Sequence, residues 1–231
     1  MRKTVIALVA LGLVVASTAF AANVVRISQV YGGGGGGTSS GPIYKYDYIE
    51  LFNSSGTAVD IGGWTLQYAS ATGTIFGAST YNFAYIPTGA TIPACGYYLI
   101  QCGSAGAGGA DLPITPDLVQ ANPAMSATTG KVALFATTTG SWTCTNALAN
   151  AVDLVGYNTA NCYEGTVAPA LTAATALVRA GAGMTDTDVN GSDFSTSTAP
   201  TLHNTSSTTN PECTVVPAVS ETWGRVKTLY R

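Results

Sequence analysis

Charged side chains are scarce in this sequence, at 9% of the residues, against roughly a quarter in ordinary soluble domains. Nine of them are basic and 12 are acidic, so the formal net charge is −3. An acidic surface with so little Lys and Arg repels phosphate backbones, and we therefore expect no nucleic-acid partner. Solubility has to come from Ser, Thr, Asn and Gly, which is typical of a secreted β protein.

Histidine occurs once, at His203, and this scarcity weakens the case for several kinds of active site. One histidine and disulfide-competent cysteines do not make a zinc site. A Ser-His-Asp triad would have to use His203, yet we recognise no elbow that would present a serine to it. A carboxylate pair for glycoside hydrolysis would come from Asp47, Glu50 and Asp60. Glu50 lies in a strand pattern and is more simply a polar partner of backbone or tyrosine groups, so we predict that the protein is not an enzyme.

No apolar run reaches the roughly 20 residues that cross a bilayer. The N-terminal run Val5–Ala16 is shorter, follows Arg2 and Lys3, and precedes the small-x-small pattern Ala19-Phe20-Ala21. This arrangement predicts a signal peptide over residues 1–22, with an uncleaved anchor as the alternative. Its removal leaves a net charge of −5. We therefore expect a secreted or cell-surface protein without a transmembrane span.

Five cysteines in an exported chain suggest disulfides with one thiol left over. Cys95 and Cys102 flank a strand-like run whose ends would lie roughly 23 Å apart, too far for a bond between them. Cys144 and Cys162 bracket an apolar run with room to turn, and we predict that they pair. Cys213, in a polar segment next to a proline, is predicted to be the odd thiol.

Short runs of aromatic and branched residues separated by Gly, Pro, Ser and Thr predict an antiparallel β-sandwich or barrel. Trp64 follows a glycine pair at the start of one run and is predicted to anchor the core. Residues 170–179 favour either a helix or a short strand near Ala176–Arg179. The predicted strands are Asn23–Tyr31, Tyr48–Asn53, Trp64–Tyr68, Tyr97–Gln101, Lys131–Ala136 and Ala151–Tyr157.

The order of these segments resembles that of bacterial lamin tail domains. The matching segments are Ile27–Tyr31, Tyr48–Asn53, Gly63–Tyr68, Gly96–Ile100, Gly130–Leu134, Asp153–Tyr157 and Asp186–Asn190. The resemblance covers most of Asn23–Thr205 and implies an all-β, immunoglobulin-like antiparallel β-sandwich. It implies little about activity, since such domains accompany exported nucleases, phosphatases and surface proteins without supplying the chemistry. Cys95 and Cys102 are not part of the family pattern.

Beyond residue 205 the composition changes to that of a linker, over residues 206–220. Residues 221–231 then form a basic tail in which Trp223, Val226, Leu229 and Tyr230 recur at helical spacings. We predict that these four residues dock the tail on a partner, the alternative being that the tail folds back onto the domain.

The best candidate metal site is the acidic segment Asp186, Asp188, Asn190, Gly191 and Asp193. Its oxygen ligands at positions 1, 3 and 5 and glycine at position 6 reproduce the first half of a calcium loop, although Ser197 stands where a bidentate Glu is expected. The alternative is a turn in which the short side chains bond their own backbone. The cofactor prediction is therefore Ca²⁺ or none.

Tyrosines near loops are candidates for a ligand-stacking face, namely Tyr44, Tyr46, Tyr81 and Tyr85, with Phe83 between the last two. We predict a secreted or cell-surface, non-catalytic module with a binding, adhesion or structural role. Its partner would be a cell-envelope component, a glycan or a protein. The alternative is an accessory or hydrolytic protein that acts on extracellular polymers, in a nuclease, phosphoesterase or glycan context.

Overall fold

The computed structural model describes residues 24–34, 41–138 and 140–213. The predicted signal peptide over 1–22 lies outside the described residues, and so do the tail residues Trp223, Val226, Leu229 and Tyr230. Within the described ranges, no helix is both long and apolar enough to cross a membrane.

The described residues form short strands with two short α-helices. In chain order the strands are β1 (Val25–Tyr31), β2 (Asp47–Asn53), β3 (Val59–Asp60), β4 (Thr65–Ala69), β5 (Ile75–Phe76), β6 (Phe83–Tyr85), β7 (Thr91–Ile92), β8 (Tyr97–Cys102), β9 (Leu118–Val119), β10 (Gly130–Phe135), β11 (Trp142–Thr143), β12 (Asp153–Tyr157), β13 (Ala176–Arg179) and β14 (Phe194–Ser197). The helices are α1 (Cys144–Asn150), between β11 and β12, and α2 (Asn190–Asp193), before β14. Of the two alternatives for residues 170–179, the short strand is the one observed.

Two sheets form a β-sandwich. The larger has six strands in the order β14-β13-β1-β2-β8-β9, and the smaller has four in the order β12-β10-β4-β6. Two small ribbons, β11-β5 and β3-β7, lie beside them. All of these pairs are antiparallel except β8 with β9. The all-β, immunoglobulin-like class predicted from the sequence is confirmed.

Side chains alternate between the two faces of each strand, so every second residue enters the space between the sheets. Ile49 and Leu51 enter from β2, and Leu66 enters from β4. Trp64, which the sequence assigns to the core, belongs to the same cluster and is 8% exposed. Removal of this apolar surface from water makes the main contribution to the stability of the sandwich.

The outer face of the six-stranded sheet is covered as well, which explains why all seven residues of β2 are buried. After β14 the chain crosses this face between residues 199 and 213, a segment we call the strap. Leu202 of the strap packs with Tyr31 and Tyr48 of the sheet. Thr205 donates to Asp117, at 2.5 Å from its Oγ1. The described part of the predicted linker, residues 206–213, also contacts the sandwich, since the Asn210 N–H donates to the Cys95 carbonyl at 2.9 Å.

Two disulfides are present among the described cysteines. Cys144 pairs with Cys162, as the sequence predicts, and Cys95 pairs with Cys213. The prediction that Cys213 is the odd thiol was wrong, because the strap brings it back to the start of β8. The free cysteine is Cys102, which is fully buried, and burial raises the pKa of its thiol.

Candidate functional site

A recess opens on the outer face of the four-stranded sheet, at its edge strand β6. Phe83 and Tyr85 project on the same side of β6 and stack, with ring centroids 5.3 Å apart and planes at 8°. The register places them opposite Gln67 and Thr65 of β4. The turn 77–80 and residues around Ser141 complete the walls, which enclose about 370 Å³.

Gly77 packs closely against the side chains behind the recess. Its φ is +67°, and a Cβ at this position would lie 2.5 Å from Phe83 Cζ and 2.7 Å from Gln67 Oε1. Any larger residue would therefore clash with both side chains and strain the backbone.

Gln67 backs the recess behind Gly77 and is 0% exposed. Its Nε2 donates to Thr65 Oγ1 at 3.3 Å and to the Gly140 carbonyl at 3.4 Å. No group in the described part of the chain donates to Oε1. A buried acceptor without a donor costs about 1–3 kcal/mol of stability, and Gln67 is not among the residues that line the recess.

The elements around the recess also carry most of the exposed apolar surface. Six large hydrophobic side chains of the described residues are exposed: Ile75, Tyr81, Tyr85, Val119, Leu148 and Tyr163. All except Val119 lie on β5, on β6 and the turn before it, on α1, or next to Cys162, which is bonded to α1. We call this outer side of the four-stranded sheet the recess side.

The recess side carries almost no charge. No Asp, Glu, Lys or Arg occurs between Asp60 and Asp111, or between Lys131 and Asp153. Lys131 itself is 1% exposed, and its Nζ donates to the carbonyls of Ser70, Ala71 and Gly73. The surface therefore suits an uncharged partner rather than a polyion.

A larger cavity of about 510 Å³ lies on the outer face of the six-stranded sheet. Its floor is one row across four strands, formed by Ser195, Val178, Gln29 and Glu50. The strap forms one wall, and residues 180–182 form another. This cavity contains Glu50 and His203, the two candidates for catalysis.

Glu50 holds the strap on the sheet. Its Oε1 accepts from Ser28 Oγ at 2.6 Å and from Gln29 Nε2 at 3.2 Å, since a bulge in β1 lets both residues reach it. Its Oε2 accepts from the His203 backbone N–H at 2.6 Å and lies 3.3 Å from His203 Nδ1. The carboxylate thus stands between hydroxyl and imidazole, whereas a triad needs the imidazole in the middle.

The carboxylate pair considered for glycoside hydrolysis is not assembled by these residues. Asp47 and Glu50 lie three residues apart on β2 and project to opposite faces of the strand, while Asp60 lies on β3. Asp47 is buried and accepts from the Met125 N–H at 2.7 Å. Burial raises the pKa of Asp47 to about 7.

A sequence profile described as Lamin Tail Domain matches residues 18–173, more than half of the chain. The chain belongs to the lamin tail domain family. The family is a non-catalytic, immunoglobulin-like one. No curated protein matches the sequence.

Among solved structures, this lamin tail domain protein is similar to a DUF4876 family protein from Bacteroides thetaiotaomicron VPI-5482, with a TM-score of 0.46 and 13% identity over 75% of this chain and 70% of that chain.

The recess side lies within the residues that the family profile matches, whereas β13, β14 and the strap follow them.

The acidic segment of the lamin tail domain protein surrounds a guanidinium group. Arg179, 0% exposed, contacts Asp153 at 2.6 Å, Asp186 at 3.0 Å and Asp193 at 3.5 Å. Asp186 also pairs with Arg26 at 3.0 Å. The carboxylates of Asp186 and Asp193 therefore already face a cation of the protein itself.

The other residues of the predicted calcium loop take different positions. The Asn190 amide is buried and bonds the Gly156 and Glu164 N–H groups and the Leu154 carbonyl. Asp188 is exposed, with φ at +55°. Calcium binding by Asp186, Asp188, Asn190 and Asp193 stays a prediction.

Glu164 gives this cluster a pH dependence. Burial, helped by the negative charge of Asp153, raises the pKa of Glu164 to about 8. Between about pH 4.5 and pH 8, Glu164 is therefore protonated in the folded protein and ionised in the unfolded chain. Because the folded state holds the extra proton, Glu164 makes the free energy of unfolding fall as the pH rises through that range.

We expect Glu164→Gln to flatten the pH dependence of stability, because the amide does not titrate. The amide oxygen can still accept from Asn190 Nδ2, which lies 3.1 Å from Glu164 Oε2 in the wild-type protein. Urea unfolding at pH 5 and pH 8 tests this. The variant should gain at least about 1.4 kcal/mol relative to wild type on going from pH 5 to pH 8, the equivalent of one pKa unit. Parallel stability curves for the two proteins would contradict it.

The four tyrosines predicted to form one ligand face do not lie together. Tyr44 is buried against Tyr31 and Tyr48, and Tyr46 lines a separate small cavity near Asp111. Tyr85 lines the recess and Tyr81 precedes it. Gln67 was missed, although a polar residue inside the strongly predicted strand Trp64–Tyr68 was a signal that could have identified it.

Proposed function

We propose that the protein is a secreted, non-catalytic module that binds an uncharged extracellular surface or polymer through the recess side. The observation that carries this proposal is the clustering of exposed Ile75, Tyr81, Tyr85, Leu148 and Tyr163 on one side of the sandwich. Exposed apolar side chains that gather on one side mark interaction sites more often than scattered ones do.

The charge distribution supports an uncharged partner. The segments that build the recess side contain few charged residues, namely the buried Lys131 and Glu164 next to Tyr163, and hydroxyl and amide residues such as Ser79, Asn82, Asn146 and Asn150 are close in sequence to the apolar side chains. The two disulfides and the lack of a membrane-spanning helix among the described residues are consistent with an extracellular location.

The experiment is retention of the purified protein on insoluble neutral polysaccharides, using cellulose, chitin and mannan beads. We expect binding that changes less than about twofold between 50 and 500 mM NaCl, since no exposed ion pairs contribute to it. Leu148→Lys and Ile75→Lys should each weaken retention about tenfold or more, because each places a charge in an apolar contact.

The matched control is Val119→Lys, which changes an equally apolar, 61% exposed residue on β9 of the other sheet. It should leave retention unchanged. Equal losses in all three variants, or no retention by wild type on any of the beads, would contradict the proposal.

A further inference from the structure

We infer that the open edge of β14 is a docking site for an extended, basic segment of another polypeptide, which adds a strand to the six-stranded sheet. The inference goes beyond the proposed function, because this edge belongs to the larger sheet and not to the recess side. Three features of the described residues carry it: the free backbone groups of β14, the cavity that reaches them, and the acidic rim of that cavity.

The first feature is the backbone of β14, which ends the six-stranded sheet. The Asn53 N–H donates to the Gly96 carbonyl, and this bond fixes which residue pairs are hydrogen-bonded across β2, β1 and β13. The same alternation turns the backbone groups of Ser195 and Ser197 toward β13 and those of Thr196 outward. No other described residue bonds the Thr196 N–H or carbonyl. Such a row of free groups is the complement of another polypeptide backbone.

The other sheet edges of the described residues are covered or shorter. Along β12, the Asn190 side chain bonds the Gly156 N–H and the Leu154 carbonyl at 2.9 Å each, and the Ala168 N–H donates to the Gly156 carbonyl at 2.8 Å. β9 has two residues and β6 has three, against four in β14. β14 also lacks the lysine, proline or bulge that commonly protects an edge. It is therefore the edge best suited to strand addition.

The second feature is the larger cavity, of about 510 Å³, which reaches this edge. Residues 195–197 all line it. Since successive side chains of a strand point to opposite faces, a cavity that contacts all three extends to the edge of β14. Val178 of the neighbouring strand lies in its floor, and Ala182 and Ala199 lie in its walls. These small apolar residues leave room for an apolar side chain of the added strand, which gives strand addition its sequence preference.

The third feature is the charge around the cavity. The exposed Glu212 carboxylate lies beside Gly181 of the cavity wall, 3.5 Å from where a Cβ of that residue would be. Asp188, in the segment before α2 and β14, is exposed as well. The nearby Arg26 and Arg179 already pair with carboxylates. Acidic side chains outnumber basic ones among the described residues, so a second copy of the chain is repelled whereas a basic segment is attracted.

The test is amide hydrogen exchange and calorimetry of the purified protein with a synthetic hexapeptide, in which alternating threonine and leucine stand between two lysines. We expect the peptide to bind and to slow exchange of the Thr196 N–H at least about tenfold, because that group gains a hydrogen-bond partner. A version with glutamates in place of the lysines should bind more weakly. A version with every threonine and leucine N-methylated lacks the donors of a strand and should not bind.

Thr196→Pro removes the outward N–H at an edge position, where a strand tolerates proline. It should weaken peptide binding at least about tenfold, and its melting curve reports whether the fold is kept. Glu212→Lys reverses the charge at the rim and should weaken binding at least about threefold at low salt. Asp111→Lys is the matched control, since Asp111 is 74% exposed, pairs with Lys45 and does not line the cavity. It should leave binding unchanged.

Four outcomes would overturn the inference. The first is absence of binding at about 1 mM of the lysine-flanked peptide. The second is binding that leaves exchange of the Thr196 N–H unchanged or that survives Thr196→Pro. The third is equal binding of the N-methylated peptide. The fourth is a wild-type dimer in sedimentation velocity that Thr196→Pro converts to a monomer, because the occupant of the edge would then be a second copy of the chain.

Discussion

Replacing Arg179 by methionine is expected to destabilise the protein by about 3–5 kcal/mol, enough to prevent folding if the domain is marginal. Methionine preserves much of the apolar stem but removes the charge that faces Asp153, Asp186 and Asp193. Arg179 Nε also donates to the Ile27 carbonyl at 2.9 Å, which ties β13 to β1. The variant would leave buried carboxylates without a counter-charge.

The measurement is urea unfolding at pH 5 and pH 8. The loss should be larger at pH 8, because unpaired buried carboxylates are protonated more easily at the lower pH and then carry no charge. Arg26→Met is the matched control. Arg26 pairs with Asp186 but its side chain is 18% exposed, so its removal should cost about 1 kcal/mol. Equal losses for the two variants would show that Arg179 does not neutralise the cluster.

Removing the Cys95–Cys213 disulfide is expected to have a comparable effect. The bond joins residues 118 positions apart, and closing a loop of that length restricts the unfolded chain by an amount equivalent to about 4–5 kcal/mol. It also fixes the far end of the strap, so the Cys95→Ser/Cys213→Ser variant should lose part of the cover over β2 and β8.

The Cys144→Ser/Cys162→Ser variant is the comparison, since its bond spans only 18 positions. Loop closure then contributes about 3 kcal/mol. Thermal unfolding followed by circular dichroism should rank wild type above the short-loop variant, and the short-loop variant above the long-loop one. The reverse order of the two variants would mean that loop closure does not determine how much each bond stabilises the fold.

The sequence alone predicted the features that depend on residues close together in the chain, namely the positions of strands and a short-range disulfide. Alternation and glycine turns located β2, β4, β8, β10 and β12 to within a few residues, and the short spacing of Cys144 and Cys162 indicated their bond. Pairing of Cys213 with Cys95 depends on the strap crossing a whole sheet, and no spacing near Cys213 carries that information.

The candidate site could be predicted only in part, because it also depends on contacts between residues that are far apart in the chain. Tyr44, Tyr81 and Tyr85 have the same residue type and similar loop contexts, but packing against Tyr31 and Tyr48 buries the first, and the register of β6 on β4 places the last in a recess. The Asp-x-Asp-x-Asn pattern indicated a turn rich in oxygen ligands. That Arg179 would lie among them became apparent only when β13 was placed beside β1.

The strap has a consequence for how the molecule is oriented. Cys213 is bonded at Cys95, beside Phe52 and Tyr97, on the outer face of the six-stranded sheet. Cys213 therefore lies on the side of the sandwich opposite the recess. A partner that held the domain by this face would keep the recess turned away from the point of attachment, free to meet a second surface.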